Sequence, residues 1–235
     1  MNELYRFLTF HLSPEWYRLA ADERAAQKRD FAEAVRAGEA RVHAYSLVGT
    51  RTDADLLLWL VADELDDLAR AEARLRATAL WSYSTRPYGY LAARRKSKYL
   101  GEHAHAGSEH DRTIAGPVGD RPYLVVYPMT KQRRWYRLPL EERTRIMAGH
   151  FAVGHRYPDV RIHTAYSFGL DDQEFVVTFE VKDVRDFLAL VAELRETESS
   201  AYTERETPIF TAAACSIEEA LDRIDGALAR EPAFR

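Results

Sequence analysis

The chemistry available to this chain comes from histidine, tyrosine, lysine and arginine. It has eight histidines and one cysteine in 235 residues. A lone Cys215 excludes an internal disulfide and a cysteine-rich zinc site. No glycine-rich phosphate loop, serine nucleophile elbow or zinc-helix motif is present. His150 falls at helical spacing with Ile146, Met147, Val153 and Gly154, so it lies on the apolar stripe of a helix. An imidazole there is either a hydrogen-bonded core histidine, the commoner outcome on spacing alone, or the ligand of a metal or haem iron. In both cases its second nitrogen needs a partner. Tyr127, Met129 and Lys131 alternate along an apolar run just upstream, so they project to one side of a strand. Tyr127 is then either a hydrogen-bonded lining residue or a redox-active or acid–base group beside a cation. His103 and His105, near His110, have no acidic or cysteine ligands at fitted spacing, which favours solvated loop histidines over a metal cluster.

Two copies of one pattern must position these groups. In the first, Leu4–Leu12 alternates as a strand, 22–37 reads as a helix, 42–48 and 54–62 as strands, and 63–78 as a helix. In the second, 122–129 is a strand, 140–153 a helix, 160–168 and 174–181 strands, and 184–196 a helix. Tyr45-Ser46-Leu47 answers Tyr166-Ser167-Phe168, and Leu75-Arg76-Ala77-Thr78 answers Leu194-Arg195-Glu196-Thr197, at an offset of roughly 120 residues. The pattern predicts an α+β fold: two ferredoxin-like repeats forming an antiparallel β-barrel with helices outside. Residues 207–213 are expected to close the second half, and 216–229 to form a terminal helix. The division predicted is an N-terminal half over 1–80, a connector over 81–121 and a C-terminal half over 122–235. The connector is rich in Tyr, Gly, His and basic residues. A stretch that long without a clean period is functional or a mobile linker.

Composition narrows the classes further. Asp and Glu number 37 against 33 Lys and Arg, for a formal charge of −4. That balance provides no basic field for nucleic acid. No apolar run approaches the roughly 18 residues of a membrane-spanning helix, and the N-terminus lacks the features of a signal peptide. A cytoplasmic protein is expected.

Several blocks occur in order: VVYPM-x-K, WY-x-LP-x-EER, H-x-x-x-G-x-x-YPDVR, SFGLDD and RETPIFT. Together they resemble the chlorite dismutase-like haem protein family, and within it the actinobacterial-type coproheme decarboxylases. The resemblance is strongest from Tyr123 to Thr211 and weak before Trp81. It implies a homopentamer that binds an iron porphyrin, haem b or coproheme, and uses hydrogen peroxide to decarboxylate coproheme oxidatively to haem b. By the same resemblance His150 is the axial iron ligand, Tyr127 the radical tyrosine and His110 the base opposite the iron. It places Met129, Lys131 and Trp135 in the pocket, with Lys131 suited to a propionate. Arg195 and Ser200 are at propionate-contacting positions, and Glu198 is the acid near the axial histidine. On the strand after the axial helix, Arg161, Ile162 and His163 compete to face the pocket, so His163 is a second candidate opposite the iron. The resemblance also allows another haem enzyme of the family, a chlorite dismutase or peroxidase, or a non-catalytic haem-binding protein.

Overall fold

A computed structural model describes residues 3–95, 97, 99 and 118–227. Two compact units share them, one comprising Met1–Ala93 with Phe210–Arg235, the other Arg94–Ile209. The first unit opens with β1 (Leu4–Leu12), α1 (Ala21–Arg36), β2 (Arg41–Ser46), β3 (Leu56–Ala62) and α2 (Leu65–Arg76). It continues through the short α3 (Ala79–Ser82) and β4 (Ser84–Thr85) to β5 (Gly89–Ala93). The strands run antiparallel in the order β5–β1–β3–β2. All seven residues of β3, LLLWLVA, are buried, as a central strand covered on both faces requires. Apolar spacing on the helices covers one of those faces: Phe31, Ala32 and Val35 of α1, and Leu68, Ala71 and Leu75 of α2, join Phe10, Trp16 and Leu58 in one core. The buried indole of Trp16 donates to Gln27 Oε1 at 3.1 Å, which satisfies its polar edge. Gly38 follows α1 at φ +92°, a backbone conformation that calls for glycine.

The second unit repeats the order with different lengths. It contains β6 (Tyr123–Lys131), α4 (Arg133–Arg137), α5 (Leu140–Gly154), β7 (Arg161–Ile162), β8 (Ala165–Tyr166), β9 (Phe175–Val181), α6 (Val184–Arg195), a 3₁₀ turn over Glu198–Tyr202 and β10 (Thr203–Arg205). β9 pairs with β6 on one edge and with β7 and β8 on the other, while β10 borders β6, all antiparallel. The sheet face bearing Val125, Tyr127, Val177, Phe179 and Val181 packs against Phe187, Leu190 and Leu194 of α6 and Val153 of α5. Asp183 caps α6 by accepting from the Arg185 amide at 2.8 Å.

Both units thus have the ferredoxin-like element order, with three departures from the sequence pattern. The strand expected over 160–168 is broken into β7 and β8 on either side of His163 and Thr164. Its middle is tied to β9 by a backbone bond, His163 N to Thr178 O at 2.8 Å. The strand expected over 207–213 starts at Phe210 and is counted with the first unit, where β11 (Phe210–Cys215) pairs with β2 ahead of α7 (Ile217–Ile224), while β10 borders β6 in the second unit. β5, which completes the first sheet, lies in what reads as connector, because GYLAA has too little alternation to stand out. Among the described residues no helix is long and apolar enough to cross a membrane.

Candidate active site

β6 is the scaffold. Its 2-residue period puts Tyr127, Met129 and Lys131 on the side facing α5 and α6. Tyr127 is buried, its ring stacked on Phe179 at 6.1 Å and 28°. Burial, and secondarily the nearby Glu206 carboxylate, hold its phenol well above the usual tyrosine range, with Arg195 opposing. Arg195, at the end of α6, pairs with Glu206 at 2.5 Å, its side chain half exposed. Met129 is half-buried and packs onto the same cluster.

His150 comes from the other wall. Its helix, α5, is flanked by Pro139 at its N-cap and carries Glu141 and Glu142 in its first turn. The stripe it presents, Met147, His150, Phe151 and Val153, is half-buried rather than closed. Nδ1 of His150 lies 3.1 Å from Ser199 Oγ. Ser199 Oγ lies 3.0 Å from Thr197 Oγ1, which donates to Leu194 O at 2.7 Å. With Thr197's only proton committed to that carbonyl, the Ser199 hydroxyl must donate to Thr197, and so Ser199 Oγ accepts from His150 Nδ1–H. The relay selects the tautomer whose Nε2 carries the lone pair a metal needs. Burial, and then the Lys131 ammonium, lower the imidazole pKa to about 4, so it is neutral at physiological pH.

The remaining expected site residues are placed as follows. Lys131 is buried and turned toward protein: its Nζ donates to Ser199 O at 2.9 Å and Thr203 Oγ1 at 3.0 Å, and lies 5.3 Å from the Trp135 ring. An ammonium committed to a carbonyl and a hydroxyl beside His150 is not poised for a propionate, the role the resemblance implies. Burial lowers its pKa to about 8. Trp135 is buried, packed against Tyr202 at 5.2 Å and Tyr99 at 6.3 Å. Ser200 is half-buried in the 3₁₀ turn beside Ser199. Glu198, expected next to His150, points instead to Arg145 at 2.9 Å and is exposed. The tight turn carries Ser199 inward and Glu198 outward. His163 does not share the tyrosine's face. β7 sets Ile162 opposite Phe179 and Arg161 opposite Glu180, so alternation sends His163 to the side of Thr178 and Glu180. There its fully buried ring meets the equally buried Glu180 at 2.8 Å. His103, His105 and His110 lie outside the described residues, among which no group of three or more histidine, cysteine, aspartate or glutamate side chains is placed to hold a metal. Sequence reasoning missed Ser199, Thr197 and Glu206. They have no periodic signature, since a 3₁₀ turn and an extended segment present them.

The depressed imidazole pKa makes a stability prediction for the porphyrin-free protein. Between its ordinary value of 6.5 and about 4, the unfolded chain takes up a proton that folded His150 refuses, so stability falls as pH drops through that window. The full effect is about 3 kcal/mol. Urea unfolding at neutral pH and at about pH 4 should show the His150→Asn protein losing less stability than the unsubstituted one. Equal losses in the two proteins would contradict the assignment.

The fold and this histidine-bearing unit define the class as a ferredoxin-like α+β protein of the dimeric α+β barrel type. A family profile described as chlorite dismutase matches residues 24–215, and the chain belongs to that family. The coproheme decarboxylase of Mycolicibacterium smegmatis is 31% identical over 183 residues, 77% of this chain and 75% of that protein. A mutant chlorite dismutase from Candidatus Nitrospira defluvii superposes with a TM-score of 0.86 at 25% identity over 95% of both chains. The structure of that organism's chlorite dismutase in complex with imidazole gives the same values. The family therefore contains enzymes of oxidoreductase type.

Proposed function

We propose that this protein is a coproheme decarboxylase, converting two propionates of iron coproporphyrin to vinyl groups with hydrogen peroxide as oxidant and haem b as product. The observation that carries the reading is the neutral imidazole of His150, locked through Nδ1 to the Ser199–Thr197 relay, in the unit whose strand presents Tyr127. The decarboxylase that is 31% identical supports it. The residues fit an iron porphyrin on three counts: a neutral nitrogen donor of fixed tautomer, half-buried apolar positions on β6 and α5, and Arg195 beside them for a carboxylate.

When bound, the iron porphyrin supplies the oxidising capacity drawn from peroxide. His150 Nε2 holds the iron, and Ser199 keeps the ring from rotating. Tyr127 is buried and stays protonated, so its phenol has a hydrogen to give up and then recovers one from the propionate β-carbon. Loss of carbon dioxide follows, and two electrons per propionate pass to peroxide, leaving water. Arg195 is the cation we assign to a propionate, exchanging its Glu206 partner for the substrate carboxylate. His110 is kept as the proposed base toward peroxide.

Incubation with coproheme and peroxide tests this, with product masses showing stepwise loss of two carboxyl groups. Unchanged coproheme would overturn it. Chlorite dismutation is the second reading, favoured by the superposition on chlorite dismutase. It calls for an arginine opposite the iron, and Arg161, the arginine of β7, shares its side of the sheet with Glu180 rather than Tyr127 and pairs with Asp120.

A further inference from the structure

We propose that Glu174 is a positioning residue for the histidine side of this site, a role that rests on the function proposed above. Glu174 precedes β9 and is buried, and a buried carboxylate persists only where donors surround it. Its donors all come from one short segment. Oε2 accepts from the Lys131 amide at 2.8 Å and from the Tyr136 hydroxyl, and Oε1 lies 3.4 Å from Arg133 Nη1. The Glu174 amide in turn donates to Met129 O at 3.2 Å. One side chain therefore ties the last residue of β6 to the end of α4.

That segment carries the groups that border the axial histidine. Lys131 Nζ reaches the carbonyl of Ser199, and Trp135, between the two points Glu174 holds, packs against Tyr202 at the end of the same 3₁₀ turn. Ser199 is the residue that accepts from His150. The order of support is thus Glu174, the 131–136 segment, the 198–202 turn and His150. Burial, and then the bond to Glu174, raise the Tyr136 phenol well above its ordinary range, which keeps its proton on the oxygen as the donor this arrangement needs. None of this was visible in the sequence, where Glu174 is only the first residue of the strand expected over 174–181.

The test compares Glu174→Ala, Glu174→Gln, Tyr136→Phe and a control, Phe31→Ala, which damages the core of the other unit. Two quantities are read: amide hydrogen exchange over 130–136 and 198–203 in the porphyrin-free protein, and the rate at which ferric haem b passes from the loaded protein to apomyoglobin. Glu174→Ala should raise exchange in both segments and haem release by about 10-fold, the scale of lost support behind a metal ligand. Glu174→Gln keeps an oxygen acceptor and should stay within about 3-fold of the unsubstituted protein. Tyr136→Phe removes one bond and should fall between, and it carries the comparison if Glu174→Ala does not fold. Phe31→Ala should lower the melting temperature and leave both readouts unchanged. Exchange that rises over 130–136 alone, with haem release unaltered, would overturn the proposal, as would equal effects from Phe31→Ala. If the unsubstituted protein takes up no haem, the proposed function fails, and exchange over 198–203 still decides whether Glu174 positions the turn.

Discussion

His150→Ala should lose the iron porphyrin: ferric haem or coproheme added to the variant keeps the absorption of free porphyrin, and affinity drops by at least about 100-fold. The size of the effect follows from how much of the surrounding structure serves this one ring. Its Nδ1–H is taken by Ser199, whose own hydroxyl is oriented by Thr197, so Nε2 is the only nitrogen with a lone pair to offer. Its pKa near 4 means that no proton competes with iron at neutral pH. Alanine removes the donor and leaves Ser199 to find water. The variant should still fold, because a half-buried imidazole that resists protonation contributes little packing. Added imidazole should restore part of the binding. A Soret band identical to that of the unsubstituted protein would show that the iron is held elsewhere.

Tyr127→Phe should separate binding from chemistry. The substitution deletes one hydroxyl and keeps the ring that stacks on Phe179, so porphyrin affinity should change by less than about 3-fold. Conversion of coproheme with peroxide should fall by about 100-fold or more, the scale of a positioned hydrogen-transfer group. The buried environment that raises the Tyr127 pKa is what makes the hydroxyl specific: it keeps the phenol neutral, so its hydrogen stays available. Mass spectrometry of the porphyrin over time distinguishes the outcomes. Product accumulating at the unsubstituted rate would remove Tyr127 from the mechanism and shift weight to another oxidation on the same scaffold.

The legible parts of the site were those that depend on periodicity. Tyr127, Met129 and Lys131 share a face because a strand alternates, and Leu4–Leu12 and α2 show the periods of a strand and of an amphipathic helix. What a side chain does at the end of such an element was not legible. Lys131 follows the strand rule in direction, yet its stem is long enough for the ammonium to reach Ser199 and Thr203 rather than a substrate. Glu198 and Ser199 are adjacent in sequence, and a 3₁₀ turn of roughly 120° per residue decides which of them meets His150. His163 was misdirected by a one-residue ambiguity in register, and in a strand one residue is a change of face.

The stretch from Tyr123 to His150 shows the division. Its amino acids by themselves determined an apolar strand and an amphipathic helix, because hydrophobic burial and backbone geometry act over neighbours in sequence. They also determined that one histidine lies on the helix's apolar stripe. Which nitrogen that histidine offers and what holds it were decided by Thr197, Ser199 and Glu174, at least 24 residues further along the chain, and its neutrality by burial in the folded unit. The reason is physical: tautomer and protonation are set by hydrogen-bond partners and by desolvation, and both are supplied by whatever the fold brings to the other side of the ring.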